Sequence, residues 1–93
     1  MAGSKFNAAL KYEEFQEHGL LLIIFDESID SDTEDGGGHV ILIAVGPKVR
    51  SGFRSKELYR HQNTLRTICE ALDVRHCPSD AEKARSMLDL FVP

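Results

Sequence analysis

Residues 20–27, Leu-Leu-Leu-Ile-Ile-Phe-Asp-Glu, constrain this chain more than any other stretch. Six successive apolar side chains leave no polar face, which is the pattern of a strand buried on both sides. The abrupt change to Asp26 and Glu27 then puts two carboxylates where that strand surfaces at a functional edge of its sheet. A second run, Val-Ile-Leu-Ile-Ala-Val at residues 40–45, repeats the pattern and is stopped by Gly46 and Pro47. Between the runs, residues 27–38 hold one large apolar side chain, Ile29, and no helical periodicity. Parallel neighbours need a crossover, usually helical, so the two strands are expected to be antiparallel. Antiparallel pairing predicts that Asp26, closing the first strand, and His39, opening the second, share one rim of the sheet.

The remaining elements are read from helical signals. Residues 6–18, FNAALKYEEFQEH, contain no breaker and predict an amphipathic helix, with Ser4 or Asn7 as its cap, Phe6, Ala9 and Leu10 on one stripe and Phe15 beside it. Gly19 stands where such a helix takes a left-handed terminal residue. Asn63 is the expected cap of a helix through Leu72, whose buried stripe would be Leu65, Ile68, Cys69 and Leu72. Ser79 and Glu82 have capping-box spacing ahead of a short C-terminal helix over residues 81–90, with Ala84, Met87, Leu88 and Phe91 inward. The order helix, strand, loop, strand, loop, helix, helix is that of an α/β unit.

A chain of 93 residues makes one small domain with a modest core. Its net charge of −4 argues against a dedicated nucleic-acid partner. Charge is nonetheless uneven. Asp26, Glu27, Asp30, Asp32, Glu34 and Asp35 make one acidic segment, whereas Lys48, Arg50, Arg54, Lys56, Arg60 and Arg66 are accompanied by Glu57 alone. The basic, turn-rich segment reads first as a solvated surface, although arginine also suits forked contacts to phosphate oxygens. The apolar run at residues 20–25 is too short to span a bilayer, and with no signal-peptide core at the N-terminus the expected location defaults to the cytoplasm.

Cys69 and Cys77 are too few and too far apart for a zinc knuckle; they read as a buried thiol and a loop thiol, with a disulfide as the alternative. Asp30, Asp32 and Glu34 match the early ligand positions of a calcium hand. That loop then requires a glycine where Asp35 stands and a glutamate where Ile41 stands, so the site is rejected. A histidine at a helix start, as at His61, is more often a surface or capping residue than a ligand, and His76 lies in a turn with no assigned role.

The segments LLIIFDES, DTEDGGGHV, ILIAVGPKVRSGF and YRHQNTLRTICEALDV, in this order and spacing, resemble the C-terminal part of bacterial phosphoesterases of the phospholipase C and acid phosphatase type, within the alkaline phosphatase superfamily. The resemblance covers residues 18–91. It implies a fragment of an α/β/α sandwich that hydrolyses phosphate esters with a divalent metal ion such as zinc, manganese or calcium. It further implies metal binding by Asp26, Glu27 and His39, and active-site roles for His39 and His61. Carboxylates and imidazoles suit a divalent ion that screens phosphoryl charge and lowers the pKa of bound water, while a histidine can protonate the leaving oxygen. A coordinated imidazole must be neutral, so metal binding should weaken in acid.

Two departures from that pattern bear on function. Gly38 stands where many relatives have an aspartate, which makes Asp35 or Glu34 the candidate second carboxylate. The resemblance implies a nucleophile in an N-terminal half that is not expected among these residues, since Ser28, Ser31 and Thr33 have no basic neighbour to activate them. One expectation is therefore a phosphoesterase segment, incomplete alone, whose substrate site is completed elsewhere. The other is a non-catalytic remnant or binding module that associates with itself or another chain through exposed sheet edges.

Overall fold

The structure, a computed structural model, describes residues 8, 10–33 and 37–93. The chain forms two compact units, Met1–Ser51 and Gly52–Pro93. The elements are a mixture of helices and strands in the expected helix-strand-strand-helix order, and the strands are antiparallel. Among the described residues no helix is long and apolar enough to cross a membrane.

In the first unit, helix α1 (Glu13–His18) leads to strand β1 (Leu21–Ile24), which pairs with β2 (Leu42–Val45). Of the expected helical stripe, Phe6 and Ala9 lie outside the described residues. The helix is not continuous over the rest. Ala8 and Leu10 are helical, but Tyr12 is extended at φ −65°, ψ 138° and α1 restarts after it. Glu13 and Glu14 in the new first turn suit the positive end of the helix dipole. Gly19 closes α1 by donating its N–H to the Phe15 carbonyl at 2.8 Å, yet its backbone is extended (φ −74°, ψ 158°) rather than left-handed. The glycine is required for close approach instead, because a Cβ there would lie 2.6 Å from Cγ of the Phe15 ring.

The strands pair Leu21 with Val45, Leu22 with Ala44, Ile23 with Ile43 and Ile24 with Leu42. The expectation that both are buried on both faces is not met. The sheet has two strands, and Phe25 and Ile41 remain 54% and 56% exposed at its end, with Ile24 and Ile43 also exposed. An apolar run reports only that each face can be covered; covering both takes further layers of structure.

The second unit is built on α2 (His61–Ala71). The helix starts two residues before the expected cap. Arg60 takes the cap position and Asn63 the third helical position, from which its Oδ1 accepts the Arg60 N–H at 2.7 Å, the returning half of a capping box. Of the expected stripe Cys69 is buried as anticipated, but Leu65, Ile68 and Leu72 are exposed, Leu72 at 70%, and Thr64 and Thr67 share the buried face with Cys69. The expected C-terminal helix is replaced by two 3-10 turns, Ser79–Lys83 and Leu88–Leu90, separated by extended backbone at Ala84.

These two differences share a cause. Asn63 Nδ2 donates to the Arg85 carbonyl at 3.0 Å, Arg66 donates to the Glu82 carbonyl at 2.9 Å, and Thr67 Oγ1 accepts the Met87 N–H at 2.9 Å. Polar side chains of α2 thus occupy backbone groups that an α-helix over residues 81–90 would use for its own ladder. Thr67 faces inward with its hydroxyl donating to the Asn63 carbonyl at 2.8 Å and accepting the Met87 N–H, and Thr64 with its hydroxyl 3.9 Å from the Met87 sulfur. Beneath them lie Cys69, Cys77, Ala81 and Met87, the buried apolar residues of the described chain. Cys69 and Cys77 form a disulfide, so the reading as two free thiols is corrected. Their Cα atoms are 5.8 Å apart because the chain turns back after α2 through Asp73, a non-glycine residue at φ 56°.

Candidate functional site

The described residues of the acidic connection, 27–33 and 37–38, lie against the sheet rim of the first unit. The Phe25 N–H donates to the Ile41 carbonyl at 3.1 Å, which carries the pairing one residue past the strands. Counted on at the same register, Glu27 falls opposite His39 and Asp26 opposite Val40, although the strands themselves end at Ile24 and Leu42 and Asp26 stands in a bend. A shallow depression of about 340 Å³ lies at this end, lined by Phe25, Ile29 and Ile41 as apolar walls and by Glu27, Ser28, Asp32 and His39 as polar ones. Asp26 is not among the lining residues.

Two hydrogen bonds close the loop. The Ser28 hydroxyl has its nearest acceptor in the Gly37 carbonyl at 3.1 Å, and the His39 backbone N–H donates to Asp32 Oδ2 at 2.9 Å. Gly38 sits between them at φ +85°, with the Ser28 hydroxyl and the Asp32 carbonyl in the space a side chain would need. Left-handed backbone costs a residue with a Cβ roughly 1 to 2 kcal/mol before any collision. Gly38→Ala is therefore expected to release the loop from the rim and to speed amide exchange at His39 by about tenfold or more, measured against β1 amides in the same sample.

The donor types at this rim suit a divalent cation, and the described residues supply only part of a ligand set. Among the described residues no three His, Cys, Asp or Glu side chains converge to hold a metal ion, and one Asp32 oxygen already accepts the His39 N–H. Asp35 lies outside the described residues. His61 is exposed at the first position of α2, in the second unit. Of the residues singled out from the sequence, the structure thus brings Glu27 and His39 to one depression.

Sequence reasoning missed Ser28 and Asp32 as the residues that hold the loop. It also missed a polar cluster in the second unit. The half-buried Asp89 carboxylate accepts the Ser55 hydroxyl at 2.5 Å and the Tyr59 hydroxyl at 2.5 Å, while the Arg85 guanidinium lies 4.8 Å from the centre of the Tyr59 ring and bonds Glu57 at 3.4 Å. Burial and the hydrogen bond to Asp89 push the Tyr59 hydroxyl up to about 12. Burial also pushes the Asp89 carboxyl up, but the hydroxyls of Ser55 and Tyr59 and the charge of Arg85 together outweigh it and hold the group below its usual range. A phenol held protonated against a fixed carboxylate is a tie between chain segments. It has no spare base to activate Ser55 or Tyr59 as a nucleophile. No sequence signal marks it, since the partners are 30 and 34 residues apart.

Compared with protein-family models, curated proteins and solved structures, the chain matches none.

Proposed function

We propose that this chain is a segment of a metal-dependent phosphoric ester hydrolase, supplying part of a site whose nucleophile and remaining ligands come from another segment. The observation that carries the reading is the meeting of Glu27 and His39 at one depression on the sheet rim. Their chemistry is that of a partial divalent-metal site, and the ordered motifs at residues 18–91 resemble those of phosphoesterases. In this reading Glu27 and His39 are the principal metal-binding residues, and Asp26 and Asp35 are supplementary carboxylates. His61 belongs to the second unit and enters only through the resemblance.

The test uses the purified chain with zinc, manganese or calcium. At least one of these ions is expected to raise the thermal midpoint, and both Glu27→Gln and His39→Ala are expected to remove most of that rise. Turnover of p-nitrophenyl phosphate above a His39→Ala control would show the segment to be active alone. Absence of both a metal-dependent shift and turnover would overturn the proposal.

A second reading, a binding or self-association module, is favoured by the exposed Phe25, Ile41 and Ile43 on a sheet of two strands. Each strand of such a ribbon has one lateral edge outside the pair, where strand addition can occur. A concentration-dependent mass in sedimentation equilibrium, reduced by Ile43→Lys, is its expected signature.

A further inference from the structure

We propose that the Cys69–Cys77 disulfide is an oxidation-dependent latch on the second unit, such that residues 52–93 hold their fold in the disulfide state and loosen in the dithiol state. The bond joins α2 to the segment that returns beneath it, spanning eight residues of sequence. Both cysteines are almost wholly buried, at 4% and 2% exposure, and with Ala81 they form the buried apolar cluster. Apart from Met87, which is buried, the large apolar side chains of the unit add little: Leu65, Ile68, Leu72, Val74 and Leu88 are all exposed. Small units with so little buried apolar surface are commonly stabilised by cross-links, and a disulfide acts by restricting the unfolded chain.

The chemistry requires a dithiol reductant. Its thiolate attacks one cysteine sulfur, the S–S bond breaks, and the other cysteine leaves as a thiolate that takes up a proton. The second thiol of the reductant then resolves the mixed disulfide. Two electrons and two protons pass to Cys69 and Cys77, and the reductant becomes a cyclic disulfide. In the folded unit this attack is hindered, because both cysteines are almost wholly buried. The latch is therefore closed to reductant while the unit is folded and opens when local unfolding exposes it.

Thiol alkylation under denaturing conditions, read by mass spectrometry, should add no label to the oxidised chain and two after dithiothreitol. Amide exchange across residues 61–71 should be about a hundredfold faster in the reduced chain than in the oxidised one, and comparably faster in a Cys69→Ala/Cys77→Ala double variant. Reduction should accelerate with urea below the unfolding midpoint. Two labels without reductant would overturn the proposal, as would equal exchange in the oxidised and reduced chains. Loosening in the double variant but not in the reduced chain would also overturn it, because sulfur volume rather than the bond would then hold the unit.

Discussion

Met87→Ala is expected to lower the stability of the second unit by about 3 kcal/mol, within the range for emptying a buried large apolar site. Met87 is 1% exposed and is the largest fully buried side chain among the described residues. Its backbone N–H is held by Thr67 Oγ1 at 2.9 Å, and its sulfur lies 3.9 Å from Thr64 Oγ1. The backbone bond anchors residue 87 while the side chain is cut back, which limits how far the site can collapse into the space. Met87→Leu conserves volume and is expected to cost less than about 1.5 kcal/mol. Urea titration followed through amide exchange of α2 measures both, and equal costs for the two substitutions would remove Met87 from the core.

Asp89→Ala is expected to cost the same unit about 2 kcal/mol at neutral pH. A hydrogen bond to a charged group contributes roughly 1.5 to 3 kcal/mol, and the partly exposed position of this pair keeps the total toward the lower end. The substitution leaves the Ser55 and Tyr59 hydroxyls without their acceptor. Asp89→Asn retains a carbonyl oxygen for one of them and should cost about half as much. The pH dependence has a definite sign. Asp89 is held below its usual 3.8, so its contribution is complete above that value and is lost as pH falls through the lowered folded range. Tyr59 is raised from 10.0 to about 12, so its contribution is complete below 10.0 and is lost as pH rises through about 12. The stability difference between the wild type and Asp89→Ala should therefore be level through neutral pH and shrink at the acid extreme. A difference that grew on acidification would show that Asp89 is not ionised against these hydroxyls.

The parts of the fold legible beforehand are those written in local pattern. Two apolar runs joined by a connection without helical periodicity define β1 and β2 and their antiparallel sense. A helix follows the basic stretch, as expected, whereas the acidic connection reads as a solvated loop, and only the structure shows its described part tied to the rim through Ser28 and Asp32. The candidate site was partly legible for the same reason. Asp26 and His39 were expected together at the rim; the depression there is lined by His39 with Glu27, the neighbour of Asp26, and not by Asp26 itself. Residues 81–90 were misread because their capping signal describes only the segment's own preference. Asn63, Arg66 and Thr67 compete for the same backbone groups from 16 to 22 residues away.

What the sequence determined by itself was therefore the identity and direction of the paired strands, the acidic rim and the place of α2, because apolar periodicity and chain-breaking residues act over a few positions. Only the tertiary structure decided which face of α2 is inside, that Cys69 and Cys77 are joined, and that Asp89 binds Ser55 and Tyr59. Those outcomes depend on which polar groups find partners across long stretches of chain. A threonine with a backbone partner can be buried where a leucine cannot displace it, and no local pattern records whether that partner will be there.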